Sequence, residues 1–131
     1  MEKTVLNKLK KVVNEKEEAK KELSKTIYNI LNNFYNTVKE TANEVYLEKF
    51  GRIIKTDKGF IIHTNTVTIH ANLNNKKIFT CGYYNKIIED KFLLDIAKNL
   101  EKWISEFIEE QKKIKNEMIE ATNKLKENFK I

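Results

Sequence analysis

The sequence predicts an α+β protein of order αβββα, in which two long antiparallel helices flank a three-stranded antiparallel β-meander. Three observations carry that prediction. Apolar residues step by four and three through both terminal thirds of the chain, and alternate with polar residues through the middle. With no proline and only three glycines in 131 residues, long elements run without interruption.

In the first helix, Val5, Leu9, Val12, Lys16, Ala19, Leu23, Thr26 and Ile30 trace a heptad seam whose weak points are Lys16 and Thr26. A broader stripe through Ile27, Leu31, Phe34, Val38, Ala42 and Val45 continues it. The helix is expected to end near Glu48, because β-forming residues follow Gly51.

The middle reads as three strands. The first, Arg52–Thr56, leads into the turn signal Asp57-Lys58-Gly59. The second, Phe60–Leu73, alternates, with Val67, Ile69, Ala71 and Leu73 on one face and Thr66, Thr68, His70 and Asn72 on the other. Asn74-Asn75 supplies left-handed turn residues before a third strand, Lys76–Tyr84. One face of such a sheet packs on helices while the other meets solvent or a partner.

The last helix mirrors the first through Leu100, Ile104, Phe107, Gln111, Ile114, Met118, Ala121 and Leu125, with Gln111 as its defect. Antiparallel pairing of residues whose numbers sum to about 133 sets Val12 against Ala121 and Ala19 against Ile114, and brings Ile30 near Ile104. The same pairing between two chains competes with the hairpin. Phe92, Ile96, Trp103 and Ile108 lie off the seam and belong near the sheet. The expected whole is a single domain over 1–131, with a compact body over about 26–108 and a coiled-coil-like stalk of 1–25 with 109–131. A stalk of three heptads is marginal for an isolated helix pair, so a homodimer is expected.

Composition narrows the function classes. The N-terminal residues lack the apolar stretch of a signal peptide, and no apolar run approaches the ~20 residues that span a bilayer. The lone Cys81 cannot pair internally and is too few for zinc. A cytoplasmic protein without membrane contact is expected. The net charge is +6, and one of the 25 basic residues is arginine, Arg52. Lysine, asparagine and isoleucine dominate, all with A/T-rich codons, which points to a low-GC genome. Residues 51–86 hold six basic groups against Asp57 alone, so five of the six net charges sit in the meander.

Catalytic machinery is absent from the pattern. His63 and His70, an odd seven positions apart on one expected strand, point to opposite faces and share neither metal nor proton. Cys81, with Phe79 and Tyr83 as same-face neighbours, reads as a buried structural thiol. Glu40, Glu44 and Glu48, like Glu106 and Glu110, line solvated helix faces and lack the histidines that bundle metal sites use. No phosphate loop, nucleophile elbow or paired-cysteine signature occurs. A non-enzymatic protein without cofactor or metal is expected.

Two binding readings remain. Arg52, Lys55, Lys58, Lys76 and Lys77, interleaved with Phe79, Tyr83 and Tyr84, match the footprint of a nucleic-acid-binding surface. The αβββα order is also that of double-stranded-RNA-binding domains. Lys86-Ile87-Ile88-Glu89-Asp90 does not match that family's glycine-flanked lysine cluster, however, and no kinship is read from the order. The scarcity of arginine weighs against specific phosphate or base readout.

The favoured reading is stoichiometric binding of another protein or nucleoprotein complex with an acidic surface. The hairpin bases would meet acids, and Thr66, Thr68 and His70 would supply hydrogen bonds. Small size and missing machinery suit a virus- or mobile-element-encoded inhibitor of a host defence complex. Nucleic-acid binding through the basic meander is the alternative.

Overall fold

The computed structural model describes residues 2–39, 44–47, 51–63, 68–80 and 86–131. Its elements run α1 (Glu2–Val38), β1 (Glu44–Leu47), β2 (Gly51–Thr56), β3 (Gly59–His63), β4 (Thr68–Asn72), β5 (Ile78–Thr80) and α2 (Lys86–Phe129). The α+β class and the two long helices around an antiparallel meander are as the sequence predicts. β1, β2 and β3 form a three-stranded open unit, and β4 and β5 extend it to five strands in sequential order.

Two boundaries differ from expectation. α1 stops at Val38, short of Glu48, and residues 44–47 pair with β2 in the register Glu44↔Ile54 to Leu47↔Gly51. Val45 and Tyr46 are strand formers, and a sheet edge offers their backbone partners that a helix end lacks. The expected long strand Phe60–Leu73 is instead the hairpin β3–β4, with His63 opposite Thr68 and Gly59 opposite Asn72. Unfolded into one strand, those 14 residues would reach about 46 Å and outrun every neighbour. Thr66 and Val67 lie outside the described residues, as do Cys81, Tyr83 and Tyr84 of the expected third strand.

The turns show local chemistry. Gly59 adopts φ 136°, and a Cβ there would sit 1.9 Å from the Ala71 carbonyl oxygen, so only glycine fits this crossing. In the β4–β5 turn, the Asn72 side-chain oxygen accepts from the Asn74 amide at 2.8 Å, and Asn75 Oδ1 accepts from the Lys77 amide at 2.9 Å. The left-handed position is Lys76, φ 58°, rather than either asparagine.

Both helices pack on one face of the sheet. Ile27, Tyr28 and Leu31 of α1 and Leu93, Ile96, Leu100 and Trp103 of α2 bury Ile53, Phe60, Ile62, Ala71 and Ile78. Tyr28 and Tyr35 meet the Phe60 ring edge-on, with centroids 5.5 and 6.0 Å away. α2 touches both edge strands, β5 and β1.

The helices run in the same direction, which corrects the antiparallel expectation. Lys16 bonds Asp90 at 2.8 Å, and further along both helices Phe34 meets Phe107 with centroids 5.4 Å apart. α2 reaches both edges of the sheet and so lies across the strands, and Lys76 of the β4–β5 turn over Tyr28 places the β5 side against the earlier part of α1, which leads on to β1. Both helices therefore cross the sheet from the β5 side to the β1 side, and the meander returns the chain between them. The seam pairing of residues 1–25 with 109–131 is therefore not formed within the chain. Val5, Leu9 and Val12 are 56–65% exposed, and Met118 and Leu125 equally so. At ~1.5 Å per residue, α1 and α2 span about 55 and 66 Å and overrun the sheet at opposite ends. No described helix is long and apolar enough to cross a membrane.

Candidate functional site

The face of the sheet turned away from the helices gathers the polar candidates. Cross-strand partners share a face, so the buried ladder Phe60–Ala71–Ile78 alternates with two outward rows. One is Arg52–His63–Thr68 and the other Ile54–Ile61–His70. Arg52 is exposed, and Ile54, Ile61, His63, Thr68 and His70 are half-buried. The result is a small apolar strip rimmed by donors and acceptors.

Both histidines lie on this face, contrary to the sequence reading. Seven positions would separate them by face on one strand. Because β3 turns back into β4, His63 opposes Thr68 and His70 sits two residues further on, diagonal to it. His63 Nδ1 lies 3.2 Å from Thr68 Oγ1, which orients the imidazole across the two strands. The signal for this in sequence was the length of the alternating run, too long for one strand of a small sheet.

The predicted bases divide into two groups. Lys55 stands on the helix side of β2, opposite Phe60, with Nζ 5.0 Å from that ring's centroid. Lys76 likewise sits over Tyr28 at 4.3 Å and donates to the Leu73 carbonyl at 2.8 Å. These two ammonium groups cap the core's aromatic rings. Lys58 and Lys77 are exposed and share one end of the sheet, where the Leu73 amide donates to the Lys58 carbonyl at 2.8 Å. A depression of about 460 Å³ at that end is lined by Thr56, Asp57, Lys58, Ile61, His70 and Asn72, so Lys58 has an acid beside it. Arg52, Thr68 and His70 are thus brought together on the open face, Lys58 borders it, Lys55 and Lys76 do not join it, and Thr66 falls outside the described residues.

A second hollow, between α1 and the β4–β5 turn, is lined by Lys20, Lys21, Lys25, Lys76 and Lys77 but also by Glu17, Glu18, Glu22 and Glu89. Acids on α1 therefore stand beside the turn lysines and weaken the positive field there. Beside it, Asp90 receives Lys16 at 2.8 Å and Lys20 at 2.9 Å. The hydrogen bond from Lys16, then that from Lys20, holds the Asp90 carboxyl below its ordinary range, and the same bond raises Lys16. Lys16 is thus the partner of Asp90 rather than a mere defect in a seam.

Among the described residues no group of three or more metal-ligating side chains converges. Comparison with protein-family models, with curated proteins and with solved structures finds no match to this chain.

Proposed function

We propose that this protein works stoichiometrically rather than catalytically, by docking the open face of its sheet on another protein or nucleoprotein complex. The observation that carries the reading is the pairing of rows on that face, with Arg52, His63 and Thr68 beside Ile54, Ile61 and His70. Apolar area within a hydrogen-bonding rim, with arginine present, is the composition of recognition surfaces. Acidic groups on the partner suit Arg52 and, at the turn end of the β2–β3 hairpin, Lys58. A virus- or mobile-element-encoded inhibitor that occupies a host defence complex would act in this manner.

The test is capture of a partner from the native host by the intact protein, repeated with Ile61→Asp and with Arg52→Glu. Both side chains lie off the buried core, so the variants keep the fold while the captured partner is lost. A partner retained at full yield by both variants overturns the open-face assignment.

Nucleic-acid binding is the second reading, favoured by Lys58 and Lys77 at one sheet end. It requires a mobility shift with generic single- or double-stranded RNA or DNA that weakens steeply with salt as counterions are displaced. Capping of core rings by Lys55 and Lys76 reduces the bases available for it.

A further inference from the structure

The end of α2 is a helix with an apolar stripe that no described residue covers. Since Phe34 is level with Phe107, the end of α1 at Val38 falls about level with Gln111, and α2 continues to Phe129 beyond it. Met118 and Leu125 are 65% and 57% exposed there. The stripe shares its helix face with the buried part of the same element. Leu93, Leu100 and Phe107 are followed at seven-residue steps by Ile114, Ala121 and Asn128, so the exposed arm presents the face that packs the core lower down.

We propose that this arm, residues 111–128, is the dimerisation element, pairing with the same arm of a second copy in an antiparallel, two-fold seam. The complementarity is specific. Opposed with the dyad between Ile119 and Glu120, Ile114 meets the other copy's Leu125, Met118 meets Ala121, and Gln111 meets Asn128. Large residues face small or matching ones, and the polar layers coincide. On the flank, Glu117 faces Lys124 of the other copy, and symmetry repeats the pair.

The geometry also selects orientation. In a parallel pair the second chain would have to pass through the space that α1 and the sheet occupy on this same face. An antiparallel partner covers only the overhang, and its own body lies at the far end of the arm, away from this chain's sheet. Because α2 is already nucleated by the body, extending it through the arm costs little and the seam need not fold from nothing. The interface lies beyond the sheet, so the dimer carries two free open faces, and it stands or falls independently of what those faces bind.

Light scattering and sedimentation on the full chain at about 50 µM give the first readout, with a dimer expected by the isologous rule. Glu117→Lys alone and Lys124→Glu alone each weaken dimerisation roughly tenfold, two pairs changing sign by symmetry. The double variant Glu117→Lys/Lys124→Glu restores it. Met118→Glu with Leu125→Glu gives a monomer whose urea midpoint for the body is unchanged. A wild-type monomer overturns the proposal. So does a dimer in which the double charge swap fails to rescue, which indicates a parallel seam. A dimer lost on removal of residues 2–14 but kept with Met118→Glu/Leu125→Glu also overturns it, because it assigns the contact to the other exposed stripe, on α1.

Discussion

Lys16 Nζ donates to Asp90 Oδ2 at 2.8 Å across 74 positions of sequence, and with the Phe34–Phe107 contact further along it reports the direction of both helices. Lys20 reaches the other carboxylate oxygen at 2.9 Å, so Asp90 ties two successive turns of α1 to the start of α2. Asp90→Asn is expected to lower the urea midpoint at unchanged slope, by about 1 kcal/mol for the lost charge-assisted bonds.

The same carboxylate sets a pH dependence. Its folded-state pKa is below the ordinary 3.8, so its contribution is present above that value and is lost as pH falls through the lower folded-state value. Lys16, raised from 10.5, contributes fully below 10.5 and loses that contribution as pH rises through its folded-state pKa. Urea midpoints measured from pH 5 down to pH 2 should fall more in the wild type than in Asp90→Asn. Parallel curves would remove Asp90 as the cause.

Gly59→Ala is expected to be among the most damaging small substitutions. The added methyl would collide with the Ala71 carbonyl oxygen at 1.9 Å, and φ 136° is closed to alanine. A loss exceeding about 2 kcal/mol, or failure to fold, follows. Thermal melting and soluble yield check it.

Tyr28 is 1% exposed, and its hydroxyl has no hydrogen-bond partner among the described residues. Burial pushes its pKa up. Removing an unpaired buried hydroxyl relieves a desolvation cost, so Tyr28→Phe should be neutral or stabilising by up to ~1 kcal/mol. A clear fall in melting temperature would mean that the hydroxyl is satisfied.

The lysines of the meander should separate by stability. Lys55→Glu and Lys76→Glu replace cations over the Phe60 and Tyr28 rings and should each cost about 1 kcal/mol. Lys58→Glu and Lys77→Glu, exposed at the sheet end, should leave the melting temperature within a degree or two, since isolated surface charges contribute little. Equal effects across the four would contradict the division.

The sequence by itself determined the helical stripes, the alternating middle, the Asp57-Lys58-Gly59 turn and the concentration of charge in residues 51–86. These depend on local periodicity and on what a residue's neighbours allow. It could not decide where β1 begins, since Val45 satisfies a helical stripe and a strand equally well. Nor did its alternation alone show that Phe60–Leu73 folds back on itself, because each half keeps a period of two whether or not a turn resets the parity between them. The tertiary structure settled both through strand pairing, and with them the site. His63 and His70 came to one face by register, and Lys55 went to the aromatic core by the pleat and Lys76 by the β4–β5 turn. The direction of the helices was also a tertiary outcome. Matched heptads are compatible with parallel or antiparallel packing, and the return of the meander from the β1 edge to the β5 edge made both long helices cross the sheet in the same direction and left their stripes at opposite ends of the molecule.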